Sequence, residues 1–133
     1  MILADTSVWI DYFNGVDTAQ TDRLDLALDD DIVVLGDLIY LEILQGFRAD
    51  KEYDSARRCL EVLPLFDLLG SDMVEVCARN YRSLRKKGMT IRKTADVVIA
   101  SFCIQHQLPL LYADREFSPF EKHLGLKNAS NET

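Results

Sequence analysis

Hydrophobic and polar positions along this chain alternate between short apolar runs and stretches with helical spacing. "MILA" is a short apolar strand, and "SVWIDYFN" after it has the spacing of a first helix, with Thr6 or Ser7 placed to cap it and Gly15 placed to break it. "TAQTDRLDLALDD" sets Leu24, Ala27 and Leu28 on one face of an amphipathic helix, and "DIVVL" reads as a second buried strand. Asp37 is then placed to cap "LIYLEILQGF", whose Leu38, Tyr40, Leu41 and Leu44 supply apolar surface before Gly46. "DKEYDSARRCLEVL" is a further helix, stopped by Pro64 ahead of the short apolar segment "LFDLL". "SDMVEVCARNYRSLRKKG" opens on a serine cap and acids and closes on bases and a glycine, as the helix dipole favours. "TADVVIASFCIQHQ" is apolar almost all round and therefore buried, and "LPLLYAD" returns to a strand that, like the first, runs into an acid.

Strands alternating with helices predict an α/β domain with a central, mainly parallel sheet. In such a sheet the ligand crevice lies beyond the carboxyl ends of the strands, where Asp5 and Asp114 both fall. Glu42 inside "YLEIL" and Asp96 in the first turn of "ADVVIASF" stand among apolar neighbours, where a carboxylate is costly to bury.

Composition bounds this picture. The length suits one domain with a real core, placed at residues 1–127, and leaves residues 128–133 as a flexible tail. Cys59, Cys77 and Cys103 are odd in number and widely spaced, which predicts buried free thiols in a reducing cytosol rather than disulfides or a zinc site. The longest apolar run, residues 97–104, is far shorter than the ~20 residues that span a bilayer, and no basic start or secretory signal is evident; a cytoplasmic protein without a membrane partner is expected.

A net charge of −7 argues at first against nucleic acid, but the average conceals a polarity. Residues 1–42 hold ten acids against one base, Arg23, whereas residues 79–93 hold seven bases and no acid. Arg79, Arg82 and Arg85 recur at three-residue steps, and Arg92 and Lys93 lead directly to Asp96, so phosphate binding is a natural role for the strip. His106 and His123 lack a partner at ligand spacing and read as structural; Trp9, Tyr12 and Phe13 read as core and interface.

Taken singly, each acid has an ordinary explanation: Asp5 and Asp37 as helix caps, Asp96 as a dipole complement, Glu42 on a wet face. Converging, they would not. Two carboxylates 4 Å apart repel by ~4 kcal/mol at an effective dielectric near 20, against a total stability of ~5–15 kcal/mol, so protons or cations must neutralise the group. An all-oxygen set selects a hard ion such as Mg²⁺ or Mn²⁺, which suits phosphodiester hydrolysis.

The ordered set "ILADTSVWIDYF", "LEILQGF" and "TADVVIASFCIQHQLPLLYADREF" resembles the PIN-domain family, specifically the VapC-type toxin ribonucleases of type II toxin–antitoxin pairs, over nearly the whole chain. The resemblance implies a three-layer α/β/α fold and a metal-dependent endoribonuclease cutting RNA, often tRNA or rRNA. It maps the acidic metal-binding and catalytic set onto Asp5, Glu42, Asp96 and Asp114, with Glu116 as an additional acid and Thr6 and Ser7 organising the site. It further implies a cognate VapB-type antitoxin and a homodimer, assembling into a heterotetramer or larger with the antitoxin. Arg92 and Lys93 stand where many relatives carry small or neutral residues, which bears on substrate preference. Two other readings remain open at this level: an inactive PIN-like binding protein, and an Asp-based phosphotransfer domain. Against the latter, Asp5 has no second Asp two residues on, and no Lys directly follows a late strand.

Overall fold

In the computed structural model, which describes residues 1–131, four short parallel strands form one sheet in the order β3-β2-β1-β4. β1 (Ile2–Ala4) is central; Leu3 lies opposite Val34 of β2 (Val33–Gly36) on one side and Leu110 of β4 (Leu110–Leu111) on the other. β3 (Leu65–Phe66) extends the sheet beyond β2, pairing Leu65 with Leu35. Helices flank this sheet in a three-layer α/β/α arrangement: α1 (Thr6–Phe13) packs on α2 (Ala19–Asp29) and α3 (Asp37–Gly46), and α5 (Val74–Lys86) packs on α6 (Thr94–Gln105) and α7 (Ser118–Leu124). β1, β2 and β4 are buried throughout, which explains why their sequences are unbroken apolar runs. The strand order reverses between β1 and β4, so the crevice above their carboxyl ends is where this topology accepts a ligand.

Local signals set several elements as expected. α2 starts with a capping box in which Thr18 and Thr21 exchange hydrogen bonds, and it buries Leu24 and Ala27. α4 (Asp50–Leu60) ends before Pro64, and every residue of α6 from Asp96 to Cys103 is buried. No helix among the described residues is long and apolar enough to cross a membrane.

Other signals were outweighed by tertiary contacts. Asp5, not Thr6 or Ser7, occupies the N-cap position of α1, and its side chain makes no cap hydrogen bond. Asp37 lies inside α3, where its Oδ1 accepts from the backbone N–H of Leu38 at 2.7 Å and of Leu68 at 3.1 Å, tying the helix to the segment after β3. α5 begins at Val74 after a turn, so Ser71 caps nothing. The apolar pattern does not announce α7; Pro119 stands in its first turn, and Gly125, at φ 80°, ends it in the left-handed conformation that glycine tolerates. The tail expected from residue 128 is docked as far as the structure describes it: Asn128 bridges to Leu110, Ala129 is fully buried, and Arg23 Nε donates to the Ala129 carbonyl at 3.3 Å. Residues 132–133 of that expected tail lie outside the described residues. Cys77 and Cys103 are buried, but Cys59 is exposed on α4.

Gly36, the last residue of β2, illustrates how tightly the sheet end is packed. A Cβ there would stand 2.5 Å from a methyl carbon of Leu68, itself fully buried. Gly36→Ala is therefore expected to destabilise by about 1–3 kcal/mol, seen as a lower urea midpoint at unchanged slope.

Candidate functional site

Asp5 follows β1 directly, and backbone geometry leaves it little choice of place: its N–H donates to the Leu111 carbonyl of β4 at 2.9 Å, and its carbonyl accepts from Val8 and Trp9 in the first turn of α1. The residue is thus clamped at the β1/β4 crevice, with its carboxylate buried at 6 % exposure. Asp96 enters from the first turn of α6 at 7 % exposure, and its Oδ2 is a buried oxygen with no hydrogen-bond partner. Asp114 lies past β4, half-buried, and Glu42 is half-buried on the second turn of α3.

These acids act on one another's ionisation. Burial pushes the Asp5 carboxyl above its ordinary range; the Ser7 hydroxyl and the Thr6 and Ser7 amides oppose the rise, and the Glu42 charge adds to it. Asp96 is pushed up to about 6, first by burial and then by Asp5, with Asp114 and Glu42 adding and Lys93 subtracting. Burial also raises the Cys103 thiol, with the Asp5 charge contributing. Asp5 after β1, Glu42 on α3 and Asp114 after β4 thus each oppose the ionisation of Asp96.

The hydroxyls flanking Asp5 serve the acids instead of capping α1. Thr6 Oγ1 donates to Glu42 Oε1 at 2.7 Å, and Ser7 Oγ donates to Asp5 Oδ2 at 3.0 Å. Asp114 Oδ1 accepts from the Glu116 N–H at 3.0 Å, capping a 3₁₀ turn at residues 115–117. The contact observed for Glu116 is thus through its backbone, which sets it apart from the other acids.

A hard divalent ion suits this donor set. The donors are all oxygen, one buried carboxylate oxygen is unpartnered, and the acids raise one another's affinity for positive charge. Against it, among the described residues no three His, Cys, Asp or Glu side chains stand close enough together to hold a metal ion.

The basic strip divides in two. Arg79 and Arg82 share the outer face of α5 with Ser83, Lys86 and Lys87, around a shallow depression of about 370 Å³. Arg85 lies off that face, its guanidinium 5.5 Å from the Tyr81 ring, so the three arginines do not form one row. Lys86 and Lys87 belong to the basic face by helical geometry, a grouping the three-residue steps had obscured. Asn80 Nδ2 donates to the buried Ser101 Oγ at 2.9 Å and ties α5 to α6, the helix bearing Asp96. Arg92 and Lys93 are exposed just before α6, and among the described residues the only ion pair joins Arg57 to Glu61, far from this strip in sequence. The aromatics of α1 do not form an exposed face: Trp9 is fully buried, Tyr12 and Phe13 are partly buried, and Tyr12 Oη donates to Asp25 Oδ1 at 3.0 Å.

Comparison with known proteins agrees with this architecture. A family model described as PIN domain matches residues 2–122. VapC ribonuclease Mb1587 of Mycobacterium bovis and ribonuclease VapC11 of Mycobacterium tuberculosis are each 27% identical to the chain over 132 residues, covering 98% of both sequences. A chain in the crystal structure of VapBC2 from Rickettsia felis bound to a DNA fragment from its promoter superposes with a TM-score of 0.76 at 18% identity, over 96% of this chain and 97% of that one.

Proposed function

The chain belongs to the PIN-domain family, and we propose that it is the ribonuclease toxin of a toxin–antitoxin pair, an endoribonuclease dependent on Mg²⁺ or Mn²⁺. The observation that carries the proposal is the group of acids at the β1/β4 switch point, with the buried Asp96 Oδ2 left unpartnered. Asp5, Asp96 and Asp114, with Glu42, would hold one or two ions directly or through water, and Glu116 is near enough in sequence to Asp114 to add an acid. When bound, such an ion acidifies a water and offsets charge on the scissile phosphate.

The chain's own residues prepare the site. Ser7 fixes one oxygen of Asp5 and Thr6 fixes one oxygen of Glu42, so neither carboxylate is free to turn away. Burial of Asp5 and Asp96 lowers the local dielectric and strengthens their attraction for a cation. Arg92, Lys93 and the α5 cations Arg79 and Arg82 would position RNA phosphates, with Arg85 reaching them from a separate face, tRNA or rRNA being the RNA class implied. An antitoxin with a basic segment suits the acidic amino-terminal region, and a homodimer in the cytoplasm completes the proposal. A co-expressed antitoxin complex that cut RNA as fast as the free protein would refute the partner.

The direct test maps RNA ends after brief expression of the wild type beside Asp96→Asn. New ends are expected with the wild type alone; equal cleavage by both proteins would overturn the assignment. The absence, among the described residues, of three His, Cys, Asp or Glu side chains placed to hold a metal favours one rival, a PIN-like protein that binds without cutting. Calorimetric titration separates the two: Mn²⁺ binding by the wild type, lost in Asp96→Asn, supports the nuclease.

A further inference from the structure

Asp114 runs without a break into the 3₁₀ turn and α7, and these form one wall of a surface groove of about 600 Å³. The groove is lined by Arg115, Ser118, Pro119, Glu121 and Lys122, and by Met89. Met89 belongs to the segment that leads through Arg92 and Lys93 to Asp96. Both stretches of the lining are therefore continuous in the chain with an acid of the candidate site. Arg115 and Lys122 are exposed, and among the described residues neither is within ion-pair distance of an acid. Glu121, the one acid in the lining, is already engaged: its Oε2 accepts from the Tyr112 hydroxyl and, at 3.4 Å, from the Asn128 amide.

An RNA strand with a phosphate at the acids has to leave over one edge of the site. Residues 1–42 carry ten acids against one base, which disfavours a polyanion along them, whereas the groove offers two unpaired cations, a hydroxyl, and apolar surface from Met89 and Pro119 for ribose or base. The geometry points to this groove as the track for the RNA backbone next to the scissile phosphate, with Arg115 and Lys122 each contacting one phosphate. The inference rests on the nuclease reading and extends it to residues outside the acidic set and the basic strip.

The test is fluorescence anisotropy of a labelled single-stranded RNA of mixed sequence on the full chain carrying Asp96→Asn, which leaves the probe uncut. Adding R115Q/K122Q is expected to weaken binding about tenfold near 0.1 M salt and to reduce the slope of log K against log salt by about 1.4, or ~0.7 for each lost phosphate contact on a single strand. R115Q or K122Q alone should each remove half of that change, and the charge-preserving R115K/K122R should restore it. K51Q/R58Q, which removes two exposed cations from α4, should leave the slope unchanged. A slope in R115Q/K122Q equal to its parent's, or an equal loss in K51Q/R58Q, overturns the groove while RNA cleavage by the wild type keeps the nuclease standing. No RNA binding by the parent together with no cleavage by the wild type overturns both.

Discussion

In EDTA, the Asp96→Asn protein is expected to melt roughly 5 °C above the wild type at neutral pH, and on return of Mg²⁺ to cleave RNA more than about 100-fold more slowly. The two effects have one origin. Asp96 is nearly buried, one of its oxygens has no partner, and Asp5, Asp114 and Glu42 all oppose its ionisation. Without a cation the folded chain carries that penalty, and an amide of the same size removes it together with the charge a metal requires. The sign with pH follows directly. The carboxyl titrates near 3.8 when unfolded and near 6 when folded, so the stability gained by keeping it protonated is full below pH 3.8 and is lost as pH rises through about 6. Allowing for partial screening, that loss is about 2 kcal/mol. Thermal melts of the metal-free wild type should therefore fall between pH 4 and 6, and those of Asp96→Asn should fall less. Superimposable melts in EDTA would mean that the acids do not share a field.

Trp9→Ala is expected to cost about 3–5 kcal/mol, a large part of the ~5–15 kcal/mol that holds a domain together. The side chain is fully buried, stacked on Phe13 at 5.8 Å and edge-on to Tyr12 at 6.1 Å, and its backbone N–H donates to the Asp5 carbonyl. Loss of the ring empties the contact that seats α1 on the core, so Asp5 is disturbed as well. Trp9→Phe should be milder by a few kcal/mol, because it keeps an aromatic against Phe13 and deletes a buried indole N–H that has no acceptor. Urea titration of the three proteins checks the order; equal midpoints for the Ala and Phe variants would show that the ring's bulk is not what matters.

The amino-acid sequence by itself carried the parallel α/β architecture, because buried strands and amphipathic helices announce themselves through local periods of apolar residues. It also marked Asp5, Glu42, Asp96 and Asp114, since an acid at a strand end or among apolar neighbours is conspicuous wherever it occurs. Division of labour among neighbours was not legible. Thr6 and Ser7 have the composition of caps, and only the family resemblance gave them a place at the site; Thr6 bonds to Glu42, 36 residues away, and Asp37 Oδ1 accepts from Leu68, 31 residues away, as well as from its neighbour Leu38. Arg79, Arg82 and Arg85 look like one row until helical rotation separates Arg85 from the others, and Asn128 to Asn131 look like a frayed end until Ala129 is buried and Arg23 grips its carbonyl. Propensity and spacing describe what a residue can do with its near neighbours; only the tertiary structure decided which distant partner outbid them, because a hydrogen bond or a shared field depends on distance in space and not on separation along the chain.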